Sequence, residues 1–139
     1  MKITDSMPFA AELLTPTYEE PFRRAGAVAG AGEVTVDQNW AIRVECDADL
    51  ARVAADHLTH FVTQSVGGTL GSESAAHAIH LRIDPSLDAN PETHRVCVSG
   101  DGIEVTGAGP TGVLQGVFRL ENLMRERGGP IAPLGEEMR

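Results

Sequence analysis

Every extended segment of this chain is apolar on one side only, and that limits what the chain can fold into. Val34 and Val36 alternate with Thr35. Ile42, Val44 and Cys46 alternate with Arg43 and Glu45, and Ile79, Leu81 and Ile83 with His80, Arg82 and Asp84. Alternation with period two marks a strand that sets one face against a core and the other toward water. A doubly wound parallel sheet buries both faces and reads as unbroken apolar runs. The pattern therefore predicts a mixed or antiparallel sheet with helices on one face only. The clearest pairing signal lies where Val96-Cys97-Val98-Ser99 and Ile103-Glu104-Val105-Thr106 flank Gly100-Asp101-Gly102. Asp-Gly suits a tight hairpin turn because glycine accepts positive φ. Val98 can pair with Val105 or with Ile103. Either register places Val96, Val98, Ile103 and Val105 on one face and Cys97, Glu104 and Thr106 on the other.

Two helices complete the layer. With Asp47 or Asp49 as N-cap, Leu50, Val53, Ala54, Leu58, Phe61 and Val62 form a helical stripe to about Ser65, which Gly67-Gly68 ends. A second helix starts near Pro110, a residue suited to the first helical position, and runs to about Arg127, where Gly128-Gly129-Pro130 stops it. The expected fold is α+β: a two-layer sandwich in the order β-β-α-β-β-β-α, with a mixed or antiparallel sheet of about five strands and two helices on one face. Residues 1–32 are expected to be a lead-in, with a short helix from Pro8 to Leu14. Residues 33–128 form the domain. Residues 129–139 form a tail with too little apolar content to be an element of it.

The second helix carries more apolar surface than one sheet can cover. Val113, Leu114, Val117, Phe118, Leu120, Leu123 and Met124 span an arc of roughly 220° at 3.6 residues per turn. One core face needs roughly 100°. Gly112 and Gly116 lie one turn apart on the flank near Leu123 and let the backbone approach a neighbour closely, at about 0.5–1 kcal/mol each relative to Ala. The surplus predicts a helix held between its sheet and a second body, with Gly112, Gly116, Leu114, Phe118 and Leu123 as the packing surface. Two covers stay open: the lead-in or tail of this chain, or a domain that follows it. Left uncovered, such a surface predicts self-association.

Charge and motifs narrow the function. With 20 Asp and Glu against 11 Lys and Arg, the net charge is −9. That surface repels phosphate backbones and anionic bilayers, so neither nucleic acid nor membrane is an expected partner. Aromatic residues are 4% of the chain, which leaves few rings for stacking on sugars. His57 and His60 are three apart on the first helix, but His57 falls inside the apolar stripe and His60 outside it. They are therefore not expected to share a metal, and His57 is expected to be partly buried with its ring satisfied. Gly107-Ala108-Gly109-Pro110-Thr111-Gly112 sits between strand and helix, as a phosphate loop would, without the Lys-Ser/Thr of one. Glu19-Glu20 and Glu136-Glu137 read as solvated charges, because glycoside hydrolysis needs two carboxyls facing each other across a sugar. Cys46 and Cys97 read as free thiols at sheet positions. No catalytic residue, metal or cofactor is expected. The start, Met1-Lys2-Ile3-Thr4-Asp5, lacks a signal peptide's apolar core, so a cytoplasmic location is expected if Met1 is the native start.

The run Asp101-Gly102-Ile103-Glu104-Val105-Thr106-Gly107, followed by Thr111-Gly112-Val113-Leu114-Gln115-Gly116-Val117-Phe118-Arg119-Leu120, resembles the end of a known domain. It is similar to the small domain preceding the catalytic barrel in family-20 β-N-acetylhexosaminidases and in α-glucuronidases. There a strand carrying D-G-I-x-I leads into a helix with G-x-x-x-G and a Leu-rich end, here Leu120-Glu121-Asn122-Leu123-Met124. The resemblance covers residues 33–127 in element order and is strongest over 101–124. It implies a sheet with two helices on one face, no catalytic residue, and helices packed near the barrel of the same longer chain, a glycoside hydrolase. Residues 129–139 would then lead toward that barrel. The alternative is a free-standing module that binds carbohydrate or protein. A small enzyme with a His-based site is the weakest of the three.

Overall fold

The computed structural model describes residues 22–24 and 26–139; the expected helix from Pro8 to Leu14 and the Glu19-Glu20 pair lie outside the described residues. In chain order the elements are β1 (Glu33–Thr35), β2 (Trp40–Val44), α1 (Asp49–His60, continued by a π-helical turn over Phe61–Ser65), β3 (His77–Ile83), β4 (His94–Val98), β5 (Gly102–Gly107), α2 (Pro110–Arg127), β6 (Ile131–Pro133) and β7 (Gly135–Met138). The main sheet has the order β2-β3-β5-β4-β7. Its first two pairings are parallel and its last two antiparallel. This is the α+β two-layer sandwich that the alternation predicts.

Register explains the core. Ile42, Ile79, Ile103 and Val98 form one row across the sheet, and Val44, Leu81, Val105 and Val96 the next. Of the two hairpin registers left open, the chain adopts the one pairing Val98 with Ile103. Ile79, Leu81, Val96, Val98, Ile103 and Val105 join Leu58 of α1 and Val113, Val117, Leu120 and Met124 of α2 in a single buried cluster, with Ile42 and Val44 packed partly buried against it. The opposite face is polar and self-paired. Glu45 accepts from His80 and from Arg82, each at 2.5 Å, Arg82 reaches Glu104 at 3.3 Å, and Arg95 reaches Glu136 at 3.5 Å.

Several local expectations need correction. The tail is part of the fold: β6 pairs with β1 in a separate two-stranded sheet, and β7 adds a fifth strand to the main sheet beside β4. The main sheet thus has five strands, but β7 takes the place expected for β1. An edge strand is held by its backbone ladder and needs little apolar content, which is why composition hid it. On β7, Glu136 and Glu137 are not merely solvated. Alternation sends Glu136 to Arg95 on the polar face and Glu137 to a two-pronged pair with Arg119 of α2 on the other. Helix α1 has no side-chain cap: Ala48 is its N-cap, and Asp47 and Asp49 pair with Arg52 instead. Val53 does not belong to the buried stripe and is 54% exposed. Both helix stops stand: Gly67 (φ +70°) and Gly128 (φ +72°) take the left-handed conformation there.

Cys46 and Cys97 are free. Cys46 follows β2 while Cys97 sits on β4, with β3 and β5 between. Three interstrand steps of about 4.8 Å each put them well beyond the roughly 7 Å limit between disulfide-bonded Cα atoms.

Candidate functional site

The surplus of α2 resolves into two flanks of different fate. On one, a Cβ at position 112 would lie 2.5 Å from the Thr93 carbonyl oxygen, and one at position 116 would lie 2.5 Å from Val105 Cγ1. These glycines admit the helix to its own domain's β5 and to the loop before β4. Leu123 is 8% exposed and lies beside a small cleft lined by Val98, Pro133 and Leu134. Of the five residues expected to meet another body, Gly112, Gly116 and Leu123 are therefore covered by this domain's own strands and tail. Leu114 and Phe118 are only half-buried, on the flank that faces α1.

That flank holds the least expected feature of the molecule. The Glu121 side chain is 3% exposed, and His57 Nδ1 donates to its Oε2 at 2.7 Å. Burial pushes the Glu121 carboxyl above the usual carboxylate range, against the hydrogen bond from His57 and the nearby charges of Arg125 and His60. The His57 ring also meets Phe118 edge-on, with centroids 5.1 Å apart. Its own side chain is 52% exposed, so the imidazole both closes over the carboxylate and forms part of the surface. One helical turn on, the Arg125 guanidinium lies 4.5 Å from the Phe22 ring and 5.2 Å from the Phe61 ring. The contacts 57 with 121 and 61 with 125 advance together, so the two helices run parallel. Between them is a cavity of about 300 Å³ lined by Phe22, His57, His60, Phe61, Ser65 and Arg125.

The sequence reading expected a partly buried His57 with a satisfied ring; the structure supplies the partner, Glu121, but leaves the side chain exposed. It set His57 and His60 on diverging faces, yet both line the cavity. Glu121 was missed. At 3.6 residues per turn it sits about 80° from Val113, between Leu114 and Val117 in the apolar arc. A carboxylate inside an apolar stripe is the signal that points to it. Among the described residues, no group of three or more His, Cys, Asp or Glu is placed to hold a metal ion. In the turn over residues 107–112 the Ala108 N–H is bonded to the Thr93 carbonyl and the Gly112 N–H to that of Pro91, while the Val113 N–H that follows bonds the Gly109 carbonyl. Trp40 is buried against His77 and offers no exposed ring.

The domain as a whole resembles parts of known proteins. The model for glycosyl hydrolase family 20, domain 2, matches residues 25–136. No curated protein sequence matches the chain. The family-20 β-N-acetylhexosaminidase of Streptomyces coelicolor shares the fold at a TM-score of 0.61 and 21% identity, with 82% of this chain and 24% of that one covered. An inactive mutant of the family-20 exo-β-N-acetylglucosaminidase of Vibrio harveyi gives 0.58 at 19% identity, covering 80% and 17%. A family-138 enzyme targeting pectin rhamnogalacturonan II gives 0.59 at 15% identity, covering 71% and 15%. The chain thus spans about a quarter or less of the length of the solved structures it matches.

Proposed function

The chain belongs to the family of glycosyl hydrolase family 20, domain 2, and from that premise we propose that it is a non-catalytic accessory domain packing against the catalytic barrel of a glycoside hydrolase chain. The observation that carries this is the α1-facing flank of α2. Leu114 and Phe118 are only partly buried at the edge of the core, and Val53 of α1 is exposed outright. Apolar side chains of this kind, set on two rigid parallel helices, form a surface that gains by meeting another body. The domain contributes shape and stability to the barrel, and the chemistry belongs to the barrel. Substrate choice would then lie outside residues 1–139.

Two measurements test this. In a chain carrying this domain and a barrel, the two parts should melt in one cooperative transition, which the double variant Leu114→Asp, Phe118→Asp splits into two. An unchanged single transition in that variant would remove the proposed interface. Residues 1–139 alone should not turn over aryl glycosides. Turnover that a Glu121→Gln substitution abolishes would overturn the non-catalytic assignment.

A further inference from the structure

The cavity beside Phe22 continues the flank that carries Leu114 and Phe118. His57 belongs to both: its ring meets Phe118 edge-on, and it lines the 300 Å³ cavity together with Arg125. The rest of the wall is aromatic and basic. The Phe22 ring is 38% exposed and stacks on Phe61 with centroids 6.2 Å apart. The Arg125 guanidinium lies over both rings. Arg125 stands apart in its pairing. Arg52, Arg82, Arg95, Arg119, Arg127 and Arg139 each reach a carboxylate. Among the described residues, no carboxylate pairs with Arg125. Its Nη1 donates to Asn122 Oδ1, and its Nε is buried with no acceptor. Glu121, one turn earlier on the same helix, is already held by His57.

A buried donor without an acceptor is uncommon in a folded protein. A guanidinium edge is matched best by a carboxylate, which takes two parallel bonds from it. The two rings already hold this guanidinium in place, so little freedom is left to lose when an acid arrives. In a chain of net charge −9, a basic wall is where an acid is drawn in rather than repelled. We infer that the cavity is a socket for one Asp or Glu side chain of the barrel that packs on Leu114 and Phe118. The carboxylate sits side-on to Arg125, and an apolar neighbour of that acid rests against Phe22. The inference rests on the barrel packing proposed above and adds a directional contact to it. A body seated on Leu114 and Phe118 overlies the cavity about two helical turns further along α2. The apolar patch holds such a body, and the socket at one end of the patch fixes which way round it docks.

The test uses a chain carrying this domain and a barrel. Arg125→Lys keeps the cation and supplies an amine that a carbodiimide joins to a carboxylate in contact with it. Peptide mapping should place that crosslink on a single acid of the barrel. Arg125→Glu should split the single melting transition in two, and exchanging the mapped acid for lysine in the same chain should restore it. A crosslink to a residue before Phe22, to another acid of this domain or to a second molecule would overturn the socket. So would the absence of a crosslink, or a charge exchange that restores nothing. The packing is read separately. If Leu114→Asp with Phe118→Asp splits the transition while position 125 joins no acid of the barrel, the packing stands and the socket falls. An unchanged single transition in that double variant would overturn the packing, and the socket with it.

Discussion

Replacing Gly112 by alanine should unfold this domain several degrees earlier, although alanine is the better helix former. A Cβ there would stand 2.5 Å from the Thr93 carbonyl oxygen, 2.9 Å from that of Pro91 and 3.0 Å from Gly107 Cα. All three are backbone atoms. Neither carbonyl can retreat freely, because the Thr93 oxygen accepts the Ala108 N–H at 2.9 Å and the Pro91 oxygen accepts the N–H of Gly112 itself at 3.1 Å. Forcing a methyl group into a filled site costs about 1–3 kcal/mol, and loosening one of these bonds adds about 1 kcal/mol. Against this stands a gain of at most about 1 kcal/mol in helix propensity. The net loss is about 1–3 kcal/mol, and for a domain of this size each kcal/mol lowers Tm by about 3–5 °C. Thermal melts followed by circular dichroism, with exposed Gln115→Ala on the same helix as control, read this directly. If Gly112→Ala melted at or above the parent temperature, the close approach of α2 to the 91–93 loop would be wrong. Gly116→Ala should lose less, because its new methyl meets the Val105 side chain rather than backbone.

Other consequences follow from the same contacts. The folded pKa of Glu121 lies above the usual value of 4.5, so its contribution to stability is complete below pH 4.5 and is lost as pH rises through the folded pKa. Glu121→Gln keeps an acceptor for His57 and should flatten that dependence, leaving the protein at pH 7 as stable as the parent or more so by up to about 1 kcal/mol. Denaturant titrations between pH 4 and pH 8 would count against this if the variant lost more stability at the alkaline end. Arg119→Met removes the two-pronged pair with Glu137 and should weaken the hold on β7 by about 1 kcal/mol or less, visible as faster exchange of its amides while β3 amides stay protected. Under oxidising conditions Cys46 and Cys97 should both remain available to a thiol reagent within one monomer. A mass lower by two hydrogens would contradict the strand order.

What the sequence alone determined was local. Period-two alternation told which side chains of β2 to β5 face the core, since neighbouring side chains on a strand point to opposite faces whatever their partners are. Gly67-Gly68 and Gly128 marked the helix ends because a left-handed residue is required there. The width of the apolar arc on α2 was likewise a property of spacing. Tertiary structure decided the rest. Nothing in Glu33–Thr35 or Gly135–Met138 says which of them joins the main sheet, because strand pairing uses backbone groups that every residue shares. Which flank of α2 the domain covers for itself depended on how closely Gly112 and Gly116 let other backbone approach. Glu121 became a buried carboxylate only when parallel packing of α1 brought His57 over it. A charge can stay inside a core face only where a partner from elsewhere in the chain arrives to hold it, and that arrival is a fact of the folded whole.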